Sequence, residues 1–235
     1  PRELEVASTR LAIGERLGAG SFGTVHAVTL DGERLALKRV SLAGLPPAPR
    51  DETLRAAKRE VRALIRLVHL YIVRLYGVVV DEQGSVGMLL ELAPRGSLRD
   101  LLDSSPAEVV GREAVQMELA ANVASAMAFL HAQTPPVLHH DLKSGNVLVF
   151  DGAVAGALQA KLTDFGLSLG SSGTSLSSQR TTRAGAGTLP YKAPEQFSRA
   201  FTAASEVYSF AIVLWELLDG GRPWQGFDDA AVMMA

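Results

Sequence analysis

Two polar stretches hold side chains able to act on a phosphate group. Val137-Leu138-His139-His140-Asp141-Leu142-Lys143-Ser144-Gly145-Asn146-Val147-Leu148 reads as a strand that runs into a polar turn and leaves it as a second strand. In that turn Asp141 could orient a hydroxyl and accept its proton, and Lys143 could neutralise a phosphoryl group in transfer. Asn146 could ligate a metal through its amide oxygen. A turn built from Asp and Asn for its own sake is the other reading. Asp164-Phe165-Gly166 follows a short strand over Lys161–Thr163. An oxygen ligand at a strand end, beside a flexible glycine, suits Mg²⁺ held together with phosphates, although the triplet alone is common.

Three features nearer the N-terminus belong with these. Gly18-Ala19-Gly20-Ser21-Phe22-Gly23 is a GxGxxG run, whose glycines let backbone N–H groups approach phosphate oxygens. A dinucleotide site would need a helix straight after it, but Thr24-Val25-His26-Ala27-Val28 is a strand pattern, so the run is the tip of a hairpin. Lys38 alternates with Ala36 and Val40 on one strand face. An edge-strand lysine that blunts aggregation is the alternative. Glu60 has Ala56, Ala57, Ala63 and Leu64 as its neighbours at helical spacing. A carboxylate on that apolar stripe is costly without a cation from elsewhere in the fold, and Lys38 is the candidate; a solvated stripe-edge Glu is the alternative.

The elements that must position these groups follow from periodicity. Strands are expected over Leu11–Leu17, Thr24–Leu30 and Glu33–Val40, the last two joined at Asp31-Gly32. The run Leu45-Pro46-Pro47-Ala48-Pro49 is expected to break structure, with a helix from Asp51 as N-cap. Strands return at Ile72–Val80 and Val86–Leu92. Helices are expected over Ser97–Leu102, Glu113–His131 and Ala204–Leu218, with short strands at Val147–Phe150 and Lys161–Thr163. Gly170 to Gly187 reads as a mobile Gly/Ser/Thr/Arg loop. The layout is a small strand-rich lobe followed by a larger helical one, joined near Leu92–Gly96.

Composition narrows the classes. The chain has 235 residues, 47% hydrophobic and 20% charged, which suits a folded globular chain and not a disordered one. Its formal net charge of −2 argues against a dedicated nucleic-acid partner. With no cysteine, a disulfide scaffold, a thiolate metal site and a Cys nucleophile are excluded, and a reducing, cytoplasmic location fits. The longest near-apolar stretch, Phe210–Leu218, is broken by Glu216, so no membrane span is expected in this chain; a span in a parent protein is a separate question. The N-terminus is not a signal peptide and lacks Met, so the chain reads as excised from something longer. Oligomeric state is not legible.

In this order and spacing the pieces resemble the protein kinase family from about Leu11 onward: the glycine loop with Val25 after it, Lys38, Glu60, His139–Asn146, Asp164-Phe165-Gly166 and Ala193-Pro194-Glu195. The closest likeness is to tyrosine-kinase-like Ser/Thr kinases of the mixed-lineage and Raf type, carried by Gly96-Ser97-Leu98, Asp141–Asn146 and Val207-Tyr208-Ser209-Phe210. The resemblance implies an α+β, two-lobed protein kinase fold: a small antiparallel β lobe with one helix over residues 11–92, a mainly helical large lobe over 93–235 that reads as truncated at its C-terminus, and a flank over 1–10. It implies a protein Ser/Thr kinase using ATP and Mg²⁺ on a protein substrate with a Ser/Thr acceptor.

The roles it implies are specific. The backbone of Gly18, Ala19, Gly20, Ser21, Phe22 and Gly23 would cover the ATP phosphates, and Lys38 would hold the α- and β-phosphates and pair with Glu60. Asp141 would take the substrate proton with Lys143 beside it, and Asn146 and Asp164 would hold Mg²⁺. Leu17, Val25, Ala36 and Leu148 would sandwich adenine, Leu90 would be the gatekeeper, and Glu91 and Ala93 would offer hinge backbone groups. Lys143 and the segment Gly187–Glu195 favour Ser/Thr over Tyr as acceptor.

Two departures bear on activity. His140 stands where most kinases carry the Arg that gathers an activation-loop phosphate, a task a protonated His would share. Glu206 replaces an Asp that braces the catalytic loop, and its extra methylene implies a shift of helix or loop and lower activity. Together with the loop, these support an alternative function as an ATP-binding pseudokinase acting as a signalling scaffold.

Overall fold

The computed structural model describes residues 4–20, 23–40, 42, 46–80, 85–165, 188–198 and 201–234. Ser21, Phe22, Gly166, the turn at 81–84 and the loop expected over 170–187 lie outside the described residues. The chain forms two compact units, Pro1–Val68 with Val73–Ala93, and His69–Ile72 with Pro94–Ala235.

The first unit is built on a five-stranded sheet in the order β1-β2-β3-β5-β4, antiparallel throughout. Its strands are β1 Leu11–Gly20, β2 Gly23–Leu30, β3 Glu33–Val40, β4 Leu75–Val80 and β5 Val86–Glu91. The β2–β3 hairpin closes on Asp31 (φ 51°) and Gly32 (φ 90°), a two-residue turn with both residues left-handed, as the Asp-Gly pair demands. Strand alternation sorts the side chains. Val28, Leu35, Leu37, Val79 and Leu89 form a core cluster with Val6, Leu11, Leu30 and Tyr76 against it. The opposite face carries Val25 across from Lys38, Lys38 across from Met88, and Ala36 across from Leu90.

Helix α1, Pro47–Arg66, packs against β3, β4 and β5 and buries Ala57, Glu60, Ala63 and Leu64. It starts four residues before Asp51, inside the proline run expected to break structure. Pro46 is the N-cap, and Pro47 and Pro49 fall in the first turn. There a missing N–H removes no helix bond and the fixed φ suits the helix, so these prolines start the element instead of blocking it. Ahead of β1, Val6 donates to the Val78 carbonyl at 2.9 Å and Glu5 bridges Val78 in parallel, laying the N-terminal residues along β4. Gly77 permits this approach: a Cβ there would lie 2.8 Å from a Val6 methyl and 3.0 Å from the Leu4 carbonyl oxygen.

The second unit is mainly helical. It holds α2 Leu98–Ser104, α3 Glu113–His131, the ribbon β6 Val147–Asp151 with β7 Leu158–Leu162, α4 Ala203–Asp219 and α5 Asp229–Met234. The sequence reading had no counterpart for α5 and began β4 at Ile72, which instead makes an isolated bridge to Leu162. Helices α2 and α4 open with reciprocal caps, Ser97 with Asp100 and Thr202 with Ser205. Leu98, Leu119, Leu130, Leu162, Phe165 and Leu217 are buried in this unit. Two buried amides tie α3 to its neighbours: Gln116 donates to the Leu217 carbonyl at 2.8 Å, and Asn122 accepts from the Ala160 N–H at 2.9 Å.

Candidate active site

In the sheet unit, Lys38 Nζ donates to Glu60 Oε1 at 2.7 Å, with both side chains largely shielded from solvent. The pair forms because β3 puts Lys38 on the helix-facing side and α1 puts Glu60 on its buried stripe. Val25 and Ala36 share that sheet face. The glycine run is a hairpin tip, with Gly18 opposite Val25, Ala19 opposite Thr24 and Gly20 opposite Gly23. Gly23 has φ +132°, and a Cβ there would sit 1.9 Å from the Arg39 carbonyl oxygen, so only glycine fits. A Cβ at Gly18 would meet nothing within 4 Å, so backbone is open there. Leu17 is exposed, Leu90 is buried and Glu91 is half-buried, its N–H donating to the Arg74 carbonyl at 3.0 Å.

The helical unit positions a second group. His139 is fully buried and stacks obliquely on Phe165 at 5.1 Å. Its Nε2 meets the Thr163 carbonyl at 2.9 Å, and its Nδ1 faces the Asp141 N–H at 3.4 Å. The imidazole thus ties the polar turn to the residues just before and after Asp164. The Thr163 N–H also donates to the Asn146 carbonyl at 3.1 Å, and β6 pairs with β7 from Val147 opposite Leu162. Asn146 and Asp164 therefore leave the same end of one ribbon. Asp164 has φ +65° and His140 φ +66°, two left-handed non-glycine residues in one site.

Asp141 is the centre of this group. Its Oδ2 accepts from Lys143 Nζ at 2.8 Å and from Asn146 Nδ2 at 3.1 Å. Its Oδ1 accepts from Thr188 at two points, the backbone N–H and the hydroxyl, both at 3.0 Å. Lys143 Nζ also donates to Thr188 Oγ1 at 2.7 Å. Four donors thus aim one carboxylate. The Asn146 amide nitrogen also bonds the Asp141 carbonyl at 2.7 Å, so the amide oxygen is the end turned away from the loop. That oxygen and the Asp164 carboxylate are the hard donors Mg²⁺ prefers, so these residues fit the ion.

Glu206 braces the turn from α4. Its Oε1 accepts the His140 N–H at 2.7 Å and its Oε2 meets His131 Nε2 at 2.7 Å. The extra methylene does not leave the brace unmade: the side chain reaches the polar-turn backbone and α3 together. Burial pushes its carboxyl upward, but the His131 bond, the His140 N–H and the neighbouring imidazoles outweigh it and hold the group below the ordinary value of 4.5. Stability from such a group is full above that value and is lost as pH falls through the lower, folded-state value. The expected result is that wild type and Glu206→Gln differ by a constant unfolding free energy at about pH 6–7 and that the gap narrows below about pH 4.5. Denaturant unfolding across that range checks this, and a gap widening on acidification is the contrary result. Burial pushes the His140 pKa below the ordinary 6.5, against the pull of Glu206, which works against the protonated ring that would share an arginine's task.

Several participants have no individual role in the sequence reading. Thr188, which enters there only within the segment Gly187–Glu195, is one. A buried hub is another: Glu216 Oε1 accepts from Arg99 Nη1 at 2.9 Å and Ser144 Oγ at 2.8 Å, and its Oε2 accepts from Tyr191 Oη at 3.0 Å. Arg99 also donates to the Gly220 and Gly221 carbonyls at 3.0 and 2.8 Å. Burial raises the Tyr191 phenol, which stays a donor.

Residues 11–235 match the protein tyrosine and serine/threonine kinase family. The chain belongs to that family. It is 36% identical over 234 residues to the Arabidopsis thaliana serine/threonine-protein kinase CTR1, covering 99% of this chain and 27% of that protein. It is 34% identical over 240 residues to a Drosophila melanogaster mitogen-activated protein kinase kinase kinase, covering 99% and 19%. It is 35% identical over 223 residues to the A. thaliana PTI1-like tyrosine-protein kinase 2, covering 88% and 56%. The kinase chain thus spans between about a fifth and just over half the length of these relatives. Among the described residues, no helix of the kinase chain is long and apolar enough to cross a membrane.

Proposed function

We propose that the chain is a protein serine/threonine kinase domain that moves the γ-phosphate of Mg²⁺-bound ATP to a Ser or Thr hydroxyl of a protein. The observation that carries this is Asp141. One of its oxygens already accepts a hydroxyl hydrogen bond, from Thr188, while Lys143 stands 2.8 Å from the other. That is the arrangement needed to orient an acceptor hydroxyl and hold a cation beside the phosphoryl group in flight.

In this reading Lys38, fixed by Glu60, would hold the α- and β-phosphates, with the glycine run assigned to cover them. Leu17, Val25, Ala36 and Leu148 flank the adenine, and Glu91 and Ala93 offer it backbone groups. The Asn146 amide oxygen and Asp164 would hold Mg²⁺, which would supply neutralisation of phosphate charge. The acceptor oxygen forms a bond to the γ-phosphorus, the bond from that phosphorus to the β,γ-bridging oxygen breaks, and the acceptor proton passes to an Asp141 oxygen. ADP leaves. Because the reaction draws on ATP, we place the domain in the cytoplasm.

The test is label transfer from γ-labelled ATP by the full-length protein to a mixed protein substrate, followed by phosphoamino-acid analysis. Mg²⁺-dependent phosphoserine and phosphothreonine are the expected products. Phosphotyrosine alone would move the acceptor class. Tight nucleotide binding with no transfer at all would leave a scaffold in place of an enzyme.

A further inference from the structure

Beside Asp141 a shallow cleft is lined largely by groups already held in hydrogen bonds, with one charged exception. Ser209 Oγ donates to the Tyr191 carbonyl at 2.7 Å, and Gln196 Oε1 accepts from the Ala193 N–H at 2.9 Å. The Tyr191 hydroxyl is on Glu216, and the Thr188 hydroxyl lies between Asp141 and Lys143. His140 lies edge-on to Phe201 at 5.4 Å, and burial works against its protonation.

The exception is Lys192. It sits at the end of the turn Leu189–Tyr191, half-buried, and lines the same cleft as Asp141. Its N–H is bound to the Leu189 carbonyl at 3.1 Å. Among the described residues its ammonium makes no hydrogen bond or ion pair. Burial pulls its pKa down and Asp141 pulls it partly back. The Asp141 charge is already matched by Lys143. The cleft therefore holds one ammonium in excess, next to the carboxylate assigned to the acceptor hydroxyl.

We propose that Lys192 is a specificity-determining residue, selecting protein substrates that carry an acidic side chain close to the accepted Ser or Thr. The inference rests on the kinase reading above. A carboxylate entering the cleft supplies the close counter-ion that Lys192 lacks among the described residues. A neutral side chain supplies none, and a basic one meets Lys192 and Lys143 together. A phosphate on this chain's own Ser/Thr-rich segment has the same chemistry, and the experiment separates the two sources.

The test uses the full-length protein and a peptide set built around one Ser in a neutral background. Glu, Gln or Lys is placed in turn at each of the two positions on either side. For wild type, kcat/KM at one of these positions should be about five- to tenfold higher with Glu than with Gln, mainly through KM and shrinking as salt is raised. Lys192→Met should bring that ratio to about one, Lys192→Arg should keep it, and Lys192→Glu should turn the preference toward the Lys peptides. Prior phosphatase treatment should leave the ratio unchanged. Robust transfer with equal Glu and Gln rates at every position overturns the inference alone, as does an unchanged ratio in Lys192→Met or a ratio abolished by phosphatase. No transfer to any peptide or protein overturns the kinase reading and the inference with it.

Discussion

Asp141→Asn is expected to reduce phosphate transfer by about 10²- to 10⁴-fold while leaving nucleotide affinity within a small factor of wild type. The substitution keeps the side chain's shape but removes its ability to take a proton. It also places an NH₂ where the carboxylate now accepts. On the Oδ2 side that group would face two donors, the Lys143 ammonium and the Asn146 amide. On the Oδ1 side it would face the Thr188 N–H. In either rotamer at least one donor is left opposing a donor. Nucleotide contacts assigned to Lys38 and the glycine run lie on other elements. Single-turnover transfer and a direct nucleotide titration separate the two effects. Equal transfer by the two proteins would remove Asp141 from the reaction.

The second large effect concerns folding. Glu216→Ala is expected to destabilise the chain by about 3–5 kcal/mol, because breaking a buried ion pair from one side strands the other charge. Glu216 is fully buried, and Arg99 keeps only a small fraction of its side chain in solvent. Removing the carboxylate also leaves Ser144 Oγ and Tyr191 Oη without their shared acceptor. Arg99 would retain Asp103 and two glycine carbonyls, which holds the cost below that of a wholly unpaired cation. Replacing both partners with neutral side chains of similar size, Arg99→Met with Glu216→Gln, should recover much of the loss. Denaturation midpoints of the two single variants and the double variant form the cycle. A Glu216→Ala midpoint close to wild type would show that the hub contributes little.

The contrast between Glu60 and Glu216 shows what sequence reasoning can reach. Both are lone carboxylates on apolar helical stripes. Glu60 was matched to a cation because Lys38 stood on a strand face with its own anomaly. Glu216 was noted only as a break in an apolar run, since Arg99 sits 117 residues earlier on a helix whose charged face looks ordinary. Thr188 lies 47 residues from Asp141, and no periodicity joins a hydroxyl in a turn to a carboxylate in another. Strands, the long helices and the polar turn were legible because alternation and helical spacing are local. The start of α1 was misread because proline was taken as a breaker without asking where in the first turn it fell. The burial of His140, which works against its protonation, is a property of the folded chain and has no local signal.

The family match begins at residue 11, yet main chain ahead of it pairs with β4. β4 is an outer strand, and the main chain at Glu5 and Val6 occupies part of its open side. A fragment trimmed to the family boundary would bare those amides and carbonyls and invite another copy to add its own strand there. The open edge of β4 is thus covered in part by residues that lie outside the family match.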